Sequence, residues 1–399
     1  MDPIQQILAV NTGSSSIKFS LYVLCGETEK LFLNGSLTRI GYDGGLFSVF
    51  DADGAALVKE NISLPDHESA CEHLFSWLLS RQELPKPAAI GHRIVHGGVE
   101  YDAPVVVTPK LVADLEKLCP FAPEHLPQAL NALRHSGQLF SDIPQVACFD
   151  TAFHRSMPLV AQTYSLPASV RLQGVQRYGF HGLSYEFIVS ELNALSGAMD
   201  AESRVIIAHL GHGASMAAVR DGKSLDTTMG FSPAGGMVMS TRSGDLDPGV
   251  IFFLFQQGSM SADDIKDMVN RRSGLLGLSG KSDDMRDLLG AAASGDRASH
   301  MAVDLFCYQA RKHLGALVAV LGGLDILVFT GGIGGHSPDI RARICDGLGF
   351  LGIGIDDREN RDGRQVISSG NSRVVVRVMK TDEEVMIARQ TRRVLNDKL

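Results

Sequence analysis

Two glycine-rich turns, one in each half of the chain, carry the residues best suited to bind phosphate. Residues 11–18 read NTGSSSIK and follow the apolar run 7–10, and residues 209–215 read HLGHGAS and follow the apolar run 205–208. Glycine leaves no side chain between the backbone amides and a ligand, and successive N–H groups in such a turn form a concave anion site. The pair of turns therefore predicts a cleft that grips a polyphosphate from two sides, as in a phosphotransferase.

An arginine and an aspartate follow two other apolar runs. Arg93 lies in GHRIVHGG, where a guanidinium between apolar residues and glycines favours a carboxylate or phosphate partner. A structural ion pair is the alternative. Asp150 ends the run 145–149 and is placed to hold a magnesium ion or its water, with capping of the next segment as the alternative. His92 and His96 lie four residues apart, but neither a helical pattern nor a third ligand supports a metal site there.

Three more segments hold histidines, arginines, glycines or acids that could contact a phosphate or a nucleotide, or begin a helix. His181 lies between two glycines in RYGFHG, where its ring can approach a phosphate, and Arg242 lies in the turn-rich segment STRSGDLDPG. Residues 329–337, FTGGIGGHS, form a third strand-to-glycine turn that enters a helix near Pro338 and can face a nucleotide. The acids of KTDEE, residues 380–384, precede a terminal helix over 385–395 and, by residue type, complement its dipole.

The elements that position these residues follow from hydrophobic patterning. The predicted strands cover residues 6–10, 17–24, 89–95, 145–149, 204–209, 215–220, 325–330 and 373–379. The predicted helices cover residues 111–118, 126–136, 184–195, 262–270 and 300–321. Hairpins combined with strand–helix alternation indicate an α/β chain with mixed sheets. The similarity of the two strand–turn–strand units hints that the two halves are related by duplication.

The composition is that of a soluble globular protein. The chain has 399 residues, which favours two domains, with 44% hydrophobic and 21% charged residues. A net charge of −8 argues against nucleic-acid or membrane partners. Glycines and an aspartate interrupt the most apolar stretch, 314–329, and the N-terminus has no signal-peptide pattern. We expect a cytoplasmic protein with reduced cysteines, of which Cys25, Cys148 and Cys307 are buried.

Seven segments, in chain order, resemble the acetate kinase family: NTGSSSIKF, GHRIVHGG, FDTAFH, RYGFHG, TRSGDLDP, FTGGIG and TDEE. The resemblance spans residues 11–383. It implies an α/β, two-domain actin-like ATPase (ribonuclease H-like) fold with mixed sheets and a central cleft. Residues 1–151 with the C-terminal helix, 383–399, would form one domain, and residues 152–382 would form the other, with most nucleotide contacts. Hinges are implied near 150–152 and 381–383.

The activity implied by the resemblance is reversible, direct in-line phosphoryl transfer from ATP to a short-chain carboxylate. The products are an acyl phosphate and ADP, acetate is the first expected substrate and propionate the next, and Mg²⁺ is required, with Mn²⁺ as a substitute. A carboxylate is ionised at pH 7 and needs no general base, so catalysis must mainly offset repulsion between anions. A kinase for another acid such as butyrate and a non-catalytic nucleotide-binding protein are the alternatives. A homodimer is implied by the resemblance alone.

Residue roles also follow from the resemblance. Asp150, His181 and Arg242 match catalytic positions, and Asn11 and Glu383 match positions that help hold magnesium. Arg93 would hold the substrate carboxylate, and Val95, His125 and Pro233 match substrate-pocket positions. The nucleotide-binding positions are Asn11, Ser14, Ser16, Lys18, His209, Leu210, Gly211, His212, Gly213, Asp284, Met285, Arg286, Gly332, Ile333, Gly334, Gly335 and His336.

Three segments depart from the family pattern. Residues 122–127 read APEHLP in place of APLHNP, so Glu124 stands where a leucine would line the acid pocket, and Leu126 replaces an asparagine. The third turn has Gly335-His336 in place of Glu-Asn, and residues 232–236 lack the usual acid. An ionised Glu124 facing the pocket would repel a carboxylate. These changes bear on acid and nucleotide preference more than on catalysis itself.

Overall fold

The computed structural model describes residues 6–26, 28–195, 202–258 and 260–396. Its strands are β1 Gln6–Thr12, β2 Ser16–Cys25, β3 Thr28–Thr38, β4 Gly45–Asp51, β5 Ala56–Ile62, β6 Ala89–Ile94, β7 Val105–Val106, β8 Gln145–Phe149, β9 Val205–Leu210, β10 Ala214–Arg220, β11 Lys223–Thr227, β12 Ile326–Thr330 and β13 Val375–Val378.

Its α-helices are α1 His67–Ser80, α2 Pro109–Lys117, α3 Leu126–Leu139, α4 Leu159–Gln162, α5 Ala168–Arg171, α6 Gly182–Ala194, α7 Pro248–Gln256, α8 Ala262–Asp267, α9 Gly274–Ser279, α10 Met285–Ala293, α11 Arg297–Leu321, α12 Gly331–His336, α13 Pro338–Cys345, α14 Asp357–Arg361 and α15 Glu383–Asn396. Short 3₁₀ turns cover Cys119–Phe121, Ala152–Ser156 and Gly349–Leu351, and a π-helical turn covers Met268–Arg272. In the described part of the chain, no helix combines the length and apolarity that a membrane crossing requires.

The chain divides into two compact units. The first unit comprises the residues up to Ala152, Gly182–Phe187 and the residues from Asp382 onward, and the second unit comprises Phe153–His181 and Ile188–Thr381.

The first unit is built on a mixed sheet in the order β5-β4-β3-β2-β1-β6-β8-β7. Strands β1, β6 and β8 run parallel, and β1 to β5 pair antiparallel in succession. Buried side chains of α1 and α3 pack on one face of this sheet. Helix α15 packs on β1, β6 and β8, and its residues Val385–Ala388 share a core with Ile7 and Ala9. Both faces of β1 are therefore covered, as its almost continuous apolar sequence requires.

The second unit repeats this topology around a sheet in the order β11-β10-β9-β12-β13. Strands β9, β12 and β13 run parallel, and β9, β10 and β11 pair antiparallel in succession. The first unit has the same order and directions in its strands β3-β2-β1-β6-β8. The repeated topology supports the relation between the two halves that the matching glycine turns indicated.

All eight predicted strands are present, and the mixed α/β class is confirmed. The predicted helix over 262–270 was too long, because α8 ends at Asp267 and the chain continues into the π-helical turn. The expectation that Cys25 is buried was wrong. It ends β2 beside a surface turn and is exposed, whereas Cys148 and Cys307 are buried.

Candidate active site

The first unit brings four predicted site residues together at one edge of its sheet. Asn11, Arg93 and Asp150 lie at or just after the carboxyl ends of the parallel strands β1, β6 and β8. Such ends meet at the same edge of a sheet, which is where ligands of open α/β sheets bind. Glu383 begins α15, whose N-terminal turn reaches the same edge and contacts Asn11.

The Arg93 guanidinium is the centre of this cluster. Its Nε and Nη2 donate to Asp150 Oδ2 at 3.0 and 2.5 Å, and its Nη1 donates to Asn11 Oδ1 at 2.9 Å. The Asn11 amide nitrogen donates in turn to Glu383 Oε2 at 3.0 Å and to Glu384 Oε1 at 2.8 Å. The structural ion pair considered for Arg93 is thus present, with Asp150 as its partner.

The charges in this cluster shift one another's ionisation. Burial alone would lower the pKa of Arg93, but the nearby carboxylates, chiefly Asp150 and Glu383, raise it overall. Burial of the Glu384 carboxyl group, reinforced by the Glu383 charge, raises the pKa of Glu384. Burial and the neighbouring Asp382 raise the pKa of Tyr22, whose hydroxyl lies 3.5 Å from Asp382 Oδ1. The cluster therefore holds more carboxylate than the single guanidinium of Arg93 balances, which is an arrangement suited to a cation.

The two histidines that flank Arg93 are structural. His92 is fully buried, and its Nε2 lies 2.8 Å from Gln145 Oε1. Burial lowers the pKa of His92 to about 4, so its ring is neutral at pH 7. His96 accepts a hydrogen bond from the Gly98 amide through Nδ1 and packs edge-on against Phe121. These contacts hold the His92 ring through Nε2 and the His96 ring through Nδ1.

The β1–β2 turn is a tight hairpin closed by its own backbone. The Gly13 amide donates to the Ser16 carbonyl at 2.8 Å, and Ser14 at the tip is exposed. His67, at the start of α1, donates from Nε2 to the Gly13 carbonyl at 2.9 Å and so links α1 to this turn. Lys18 is exposed and is the cross-strand partner of Asn11.

The predicted acid-pocket residues of the first unit lie at the end of β6 and at the start of α3. Val95 is buried directly after β6, and His125 is the half-buried residue that precedes α3. Leu126, in place of the family asparagine, is fully buried in the core under α2 and α3, which explains its apolar character. Glu124 is half-buried.

The second unit brings together its two glycine turns. A Cβ atom at Gly211, in the β9–β10 turn, would lie 3.6 Å from the Gly332 amide nitrogen and 3.9 Å from His209 Nε2. Gly331 has φ +80°, and a Cβ there would lie 2.6 Å from the Leu210 carbonyl oxygen. Only glycine at position 331 allows β12 to turn into α12 this close to β9.

His181 and Arg242 meet beside the β9–β10 turn. A Cβ atom at Gly213 would lie 3.1 Å from His181 Nε2 and 3.6 Å from Arg242 Nη1. The His181 ring stacks on His209 at 4.3 Å, and its Nδ1 lies 2.8 Å from Ser215 Oγ. Arg242 Nη1 donates to the Pro233 carbonyl at 3.3 Å. An imidazole and a guanidinium thus lie close together beside Gly213 of the β9–β10 turn, and both are donors that suit a phosphoryl group.

His181 has a left-handed backbone, with φ 60° and ψ 26°. A residue other than glycine in this conformation is sparsely populated and is typical of functional sites. The hydroxyl of Ser215 and the face of His209 fix the direction of its ring.

The predicted nucleotide contacts of residues 284–286 lie beside the same turn. His212 Nε2 is 3.3 Å from Asp283 Oδ2, and Ser240 Oγ donates to the Asp283 carbonyl at 2.9 Å. Asp284 caps α10 by accepting from the Arg286 amide and also pairs with the exposed Arg286 side chain. Met285 is buried.

The third glycine turn is itself a six-residue helix, α12, directly after β12. His336 Nδ1 lies 3.1 Å from the Gly332 carbonyl. The buried Arg341 donates from Nη1 to the Gly334 and Gly335 carbonyls at 2.9 and 3.1 Å. The carbonyl end of this short helix is therefore capped by a cation.

Magnesium is the metal that the oxygen donors of the first unit fit. Asn11, Asp150, Glu383 and Glu384 supply hard amide and carboxylate oxygens, which Mg²⁺ prefers. Among the described residues, no three His, Cys, Asp or Glu side chains form a ready metal cage. Magnesium in kinases usually retains waters and binds one or two carboxylates together with substrate phosphates, so this donor set is compatible with it.

Comparison with known proteins agrees with this geometry. The family model described as "Acetokinase family" matches residues 6–389. The acetate kinase of Rhodopseudomonas palustris (strain ATCC BAA-98 / CGA009) is 44% identical over 96% of both chains. The crystal structure of Porphyromonas gingivalis acetate kinase has a TM-score of 0.87 at 36% identity, covering 98% of this chain and 100% of that one. A propionate kinase from Francisella tularensis has a TM-score of 0.90 at 34% identity, with the same coverage.

The chain belongs to the acetokinase family of carboxylate kinases. It is an acetate kinase-type enzyme, an ATP-binding transferase whose phosphoryl acceptor is a carboxyl group. Its fold is the two-sheet, mixed α/β actin-like ATPase fold that the resemblance implied.

Several contacts that shape the site do not follow from the sequence motifs. Glu384, His67 and Ser215 each contact a predicted site residue or turn. Glu384 lies in the TDEE motif and Ser215 in the HLGHGAS turn, so the sequence shows where these residues are but not what they contact. His67 lies far from the turn in sequence and follows no motif, so only the fold reveals it.

Proposed function

We propose that this protein transfers the γ-phosphoryl group of ATP reversibly and directly to acetate, with propionate as the next substrate. The observation that carries the proposal is the meeting of His181 and Arg242 beside Gly213 of the β9–β10 turn in the second unit. Acetate and a phosphoryl donor are both anions, so the barrier is largely electrostatic. Hydrogen-bond donors and positive charges that are already in position around the transferring phosphoryl group are the main source of catalysis in this chemistry.

In this mechanism Arg93 binds the acid carboxylate, and Val95, His125 and Pro233 line its alkyl group. Because the carboxylate is already ionised, no residue has to remove a proton before it attacks phosphorus. His181 and Arg242 donate hydrogen bonds to the phosphoryl oxygens as charge shifts from the attacking oxygen to ADP. The β1–β2 and β9–β10 turns bind the remaining phosphates, and residues 284–286 and 332–336 bind the nucleoside.

Magnesium, when bound, would neutralise phosphate charge. Asp150 and Glu383 are the residues that would hold it, directly or through its waters. Asn11 donates its amide N–H groups to Glu383 and Glu384 and so orients these carboxylates. Manganese would substitute because it accepts the same oxygen donors.

We also propose a cytoplasmic homodimer, with domains of residues 1–151 with 383–399, and 152–382. Several large apolar side chains of α7, including Phe252, Phe253 and Phe255, are 59–63% exposed, which is unusual for a surface that stays in water. A second copy of the chain is the occupant that the family resemblance favours. Light scattering of the wild type and of Phe253→Glu tests this, and a wild-type monomer at micromolar concentration would contradict it.

The test of the proposed reaction is ADP formation from ATP by purified protein with acetate, propionate, butyrate or no acid, with and without Mg²⁺. Hydroxylamine traps any acyl phosphate as a hydroxamate. We expect acid- and Mg²⁺-dependent turnover, with kcat/KM highest for acetate. Nucleotide binding without acid-dependent ADP release would instead support a non-catalytic protein.

Glu124 favours a second candidate, a kinase for a different acid such as butyrate. A half-buried glutamate stands where the family has a leucine in the pocket segment. If Glu124 limits acetate binding, Glu124→Leu should lower KM for acetate and leave KM for ATP unchanged. If the variant leaves the ranking of acids unaltered, Glu124 does not set specificity.

A further inference from the structure

His154 is a fully buried histidine that the proposed mechanism does not use. It lies in the 3₁₀ turn Ala152–Ser156, at the end of FDTAFH, and its residue exposure is 1%. Its Nδ1 lies 2.9 Å from Ser224 Oγ of β11, and its Nε2 lies 3.0 Å from the Phe180 carbonyl oxygen. A buried polar ring with both nitrogens satisfied is held in one orientation.

These two contacts define the tautomer of the ring. A carbonyl oxygen can only accept, so Nε2 carries the proton and donates to Phe180, and Nδ1 accepts from the Ser224 hydroxyl. Burial lowers the pKa of His154 to about 4, which keeps the ring neutral at pH 7. His154 is therefore a fixed single donor aimed at one carbonyl.

That carbonyl belongs to the residue that precedes His181. Phe180 stands between two residues with positive φ, Gly179 at +74° and His181 at 60°, so it lies in a turn of unfavourable backbone conformation. A Cβ atom at Gly179 would lie 2.5 Å from His154 Cδ2, so the ring also packs directly against this turn. Both the hydrogen bond and the packing oppose relaxation of His181 to an ordinary conformation.

We propose that His154 is a positioning residue for phosphoryl transfer: it holds the strained turn that aims the His181 imidazole. The proposal rests on the proposed function, in which His181 stabilises the transferring group. Its effect should fall on kcat, because the turn does not form the nucleotide or acid contacts.

Two substitutions separate the effect of the hydrogen bond to Phe180 from the effect of filling the buried space with a side chain. The amide of His154→Gln reaches about as far as Nε2 and can still donate to Phe180, whereas the amide of His154→Asn reaches only the position of Nδ1. We expect His154→Asn to lower kcat at least tenfold with both KM values within twofold of the wild type, and His154→Gln to restore most of kcat. Equal kcat for His154→Asn and the wild type would overturn the proposal.

A double-mutant cycle with His181→Ala tests whether His154 acts through His181. In that background His154→Asn should lower kcat less than twofold, because the ring that it positions is already gone. The same tenfold loss in both backgrounds would indicate a general structural role and would overturn the proposal. Arg204→Lys is the control for destabilisation. Arg204 pairs with Asp325 where β9 and β12 begin, and the glycine turns of the site lie where these strands end.

An NMR titration of the His181 ring gives a readout that does not depend on activity. We expect a shifted His181 pKa in His154→Asn and an unshifted one in His154→Gln, and no shift in either would contradict the proposal. If the wild type shows no acid-dependent turnover, the proposed function fails, but this titration still decides whether His154 positions His181. If His154→Asn does not fold, His154→Leu, which keeps a buried side chain but cannot donate to the Phe180 carbonyl, takes its place in both experiments.

Discussion

Removing the Arg93 guanidinium should destabilise the first unit as well as weaken acid binding. The Asp150 side chain is 0% exposed, and its Oδ2 accepts hydrogen bonds from Arg93 Nε and Nη2 at 3.0 and 2.5 Å. Arg93→Ala leaves this carboxylate buried without its guanidinium, and breaking such a buried pair costs about 3–5 kcal/mol. A typical domain has only about 5–15 kcal/mol in total, so the variant should be visibly fragile.

The single tryptophan of the chain reports this loss directly. Trp77 lies in α1 of the first unit, beside the rings of Phe19 and Phe47, so urea unfolding followed by its fluorescence reports on this unit. The matched control is Arg93→Met with Asp150→Asn, which removes both charges and should lose much less stability than Arg93→Ala. Arg93→Ala with an unfolding free energy within 1 kcal/mol of the wild type would refute this account of the ion pair.

Steady-state kinetics should distinguish the roles of Arg93 and Arg242. Arg93→Ala, assayed well below its unfolding midpoint, should mainly raise KM for the acid. Arg242→Ala should mainly lower kcat, by about a hundredfold or more, as when one donor to a developing charge is lost. Steady-state kinetics with the same pattern for both variants would contradict this division of roles.

Two further predictions follow from packing and burial. Gly213→Ala places a methyl carbon 3.1 Å from His181 Nε2 and should lower kcat tenfold or more by displacing that ring, as about 1 Å of misplacement can cost a hundredfold. Gly315→Ala is the matched control, since its methyl group meets open space among the described residues inside α11, and it should leave kcat unchanged. The pKa values of His92 and His154 are both lowered to about 4 by burial. The unfolded chain takes up these protons below about pH 6.5 and the folded one does not, so stability should fall by about 2 kcal/mol per histidine between pH 7 and 5. Thermal or urea unfolding across this range checks the slope, and a flat profile would show that these rings are not buried and neutral.

The sequence predicts the parts of this molecule that depend on apolar pattern and turn chemistry. The strands β1, β6, β8, β9 and β12 are apolar along most of their length because the sheets are covered on both faces, so their signal is strong. Strands β3 and β5 were missed because β3 is mostly half-buried or exposed and β5 is largely exposed, so their pattern resembles that of a polar loop. Strand β4 was missed as well, although most of its residues are buried. Helix α1 was missed with them, although Asp66 and a buried apolar stripe mark it.

Side-chain contacts were less predictable than the positions of the motifs. The ends of β1, β6 and β8 could be expected to meet, and Arg93 was expected to have an anionic partner. That this partner is Asp150, and that Asn11 faces Glu384 as well as Glu383, depends on side-chain directions that spacing does not encode. The left-handed backbone of His181 likewise follows from the packing of its turn and not from its residue type.

The late position of α15 in the chain delays completion of the first unit's core during translation. The apolar surface formed by β1, β6 and β8 is complete once Phe149 has been made, but the helix that covers it begins only at Glu383. At typical translation rates of 5–20 residues per second, this face of the nascent sheet stays without α15 for roughly 10–50 s. During that interval the exposed strands are a target for chaperones and a risk for aggregation. Slowing translation within residues 150–382 should therefore reduce the soluble yield, whereas the same pause placed before β1 should not.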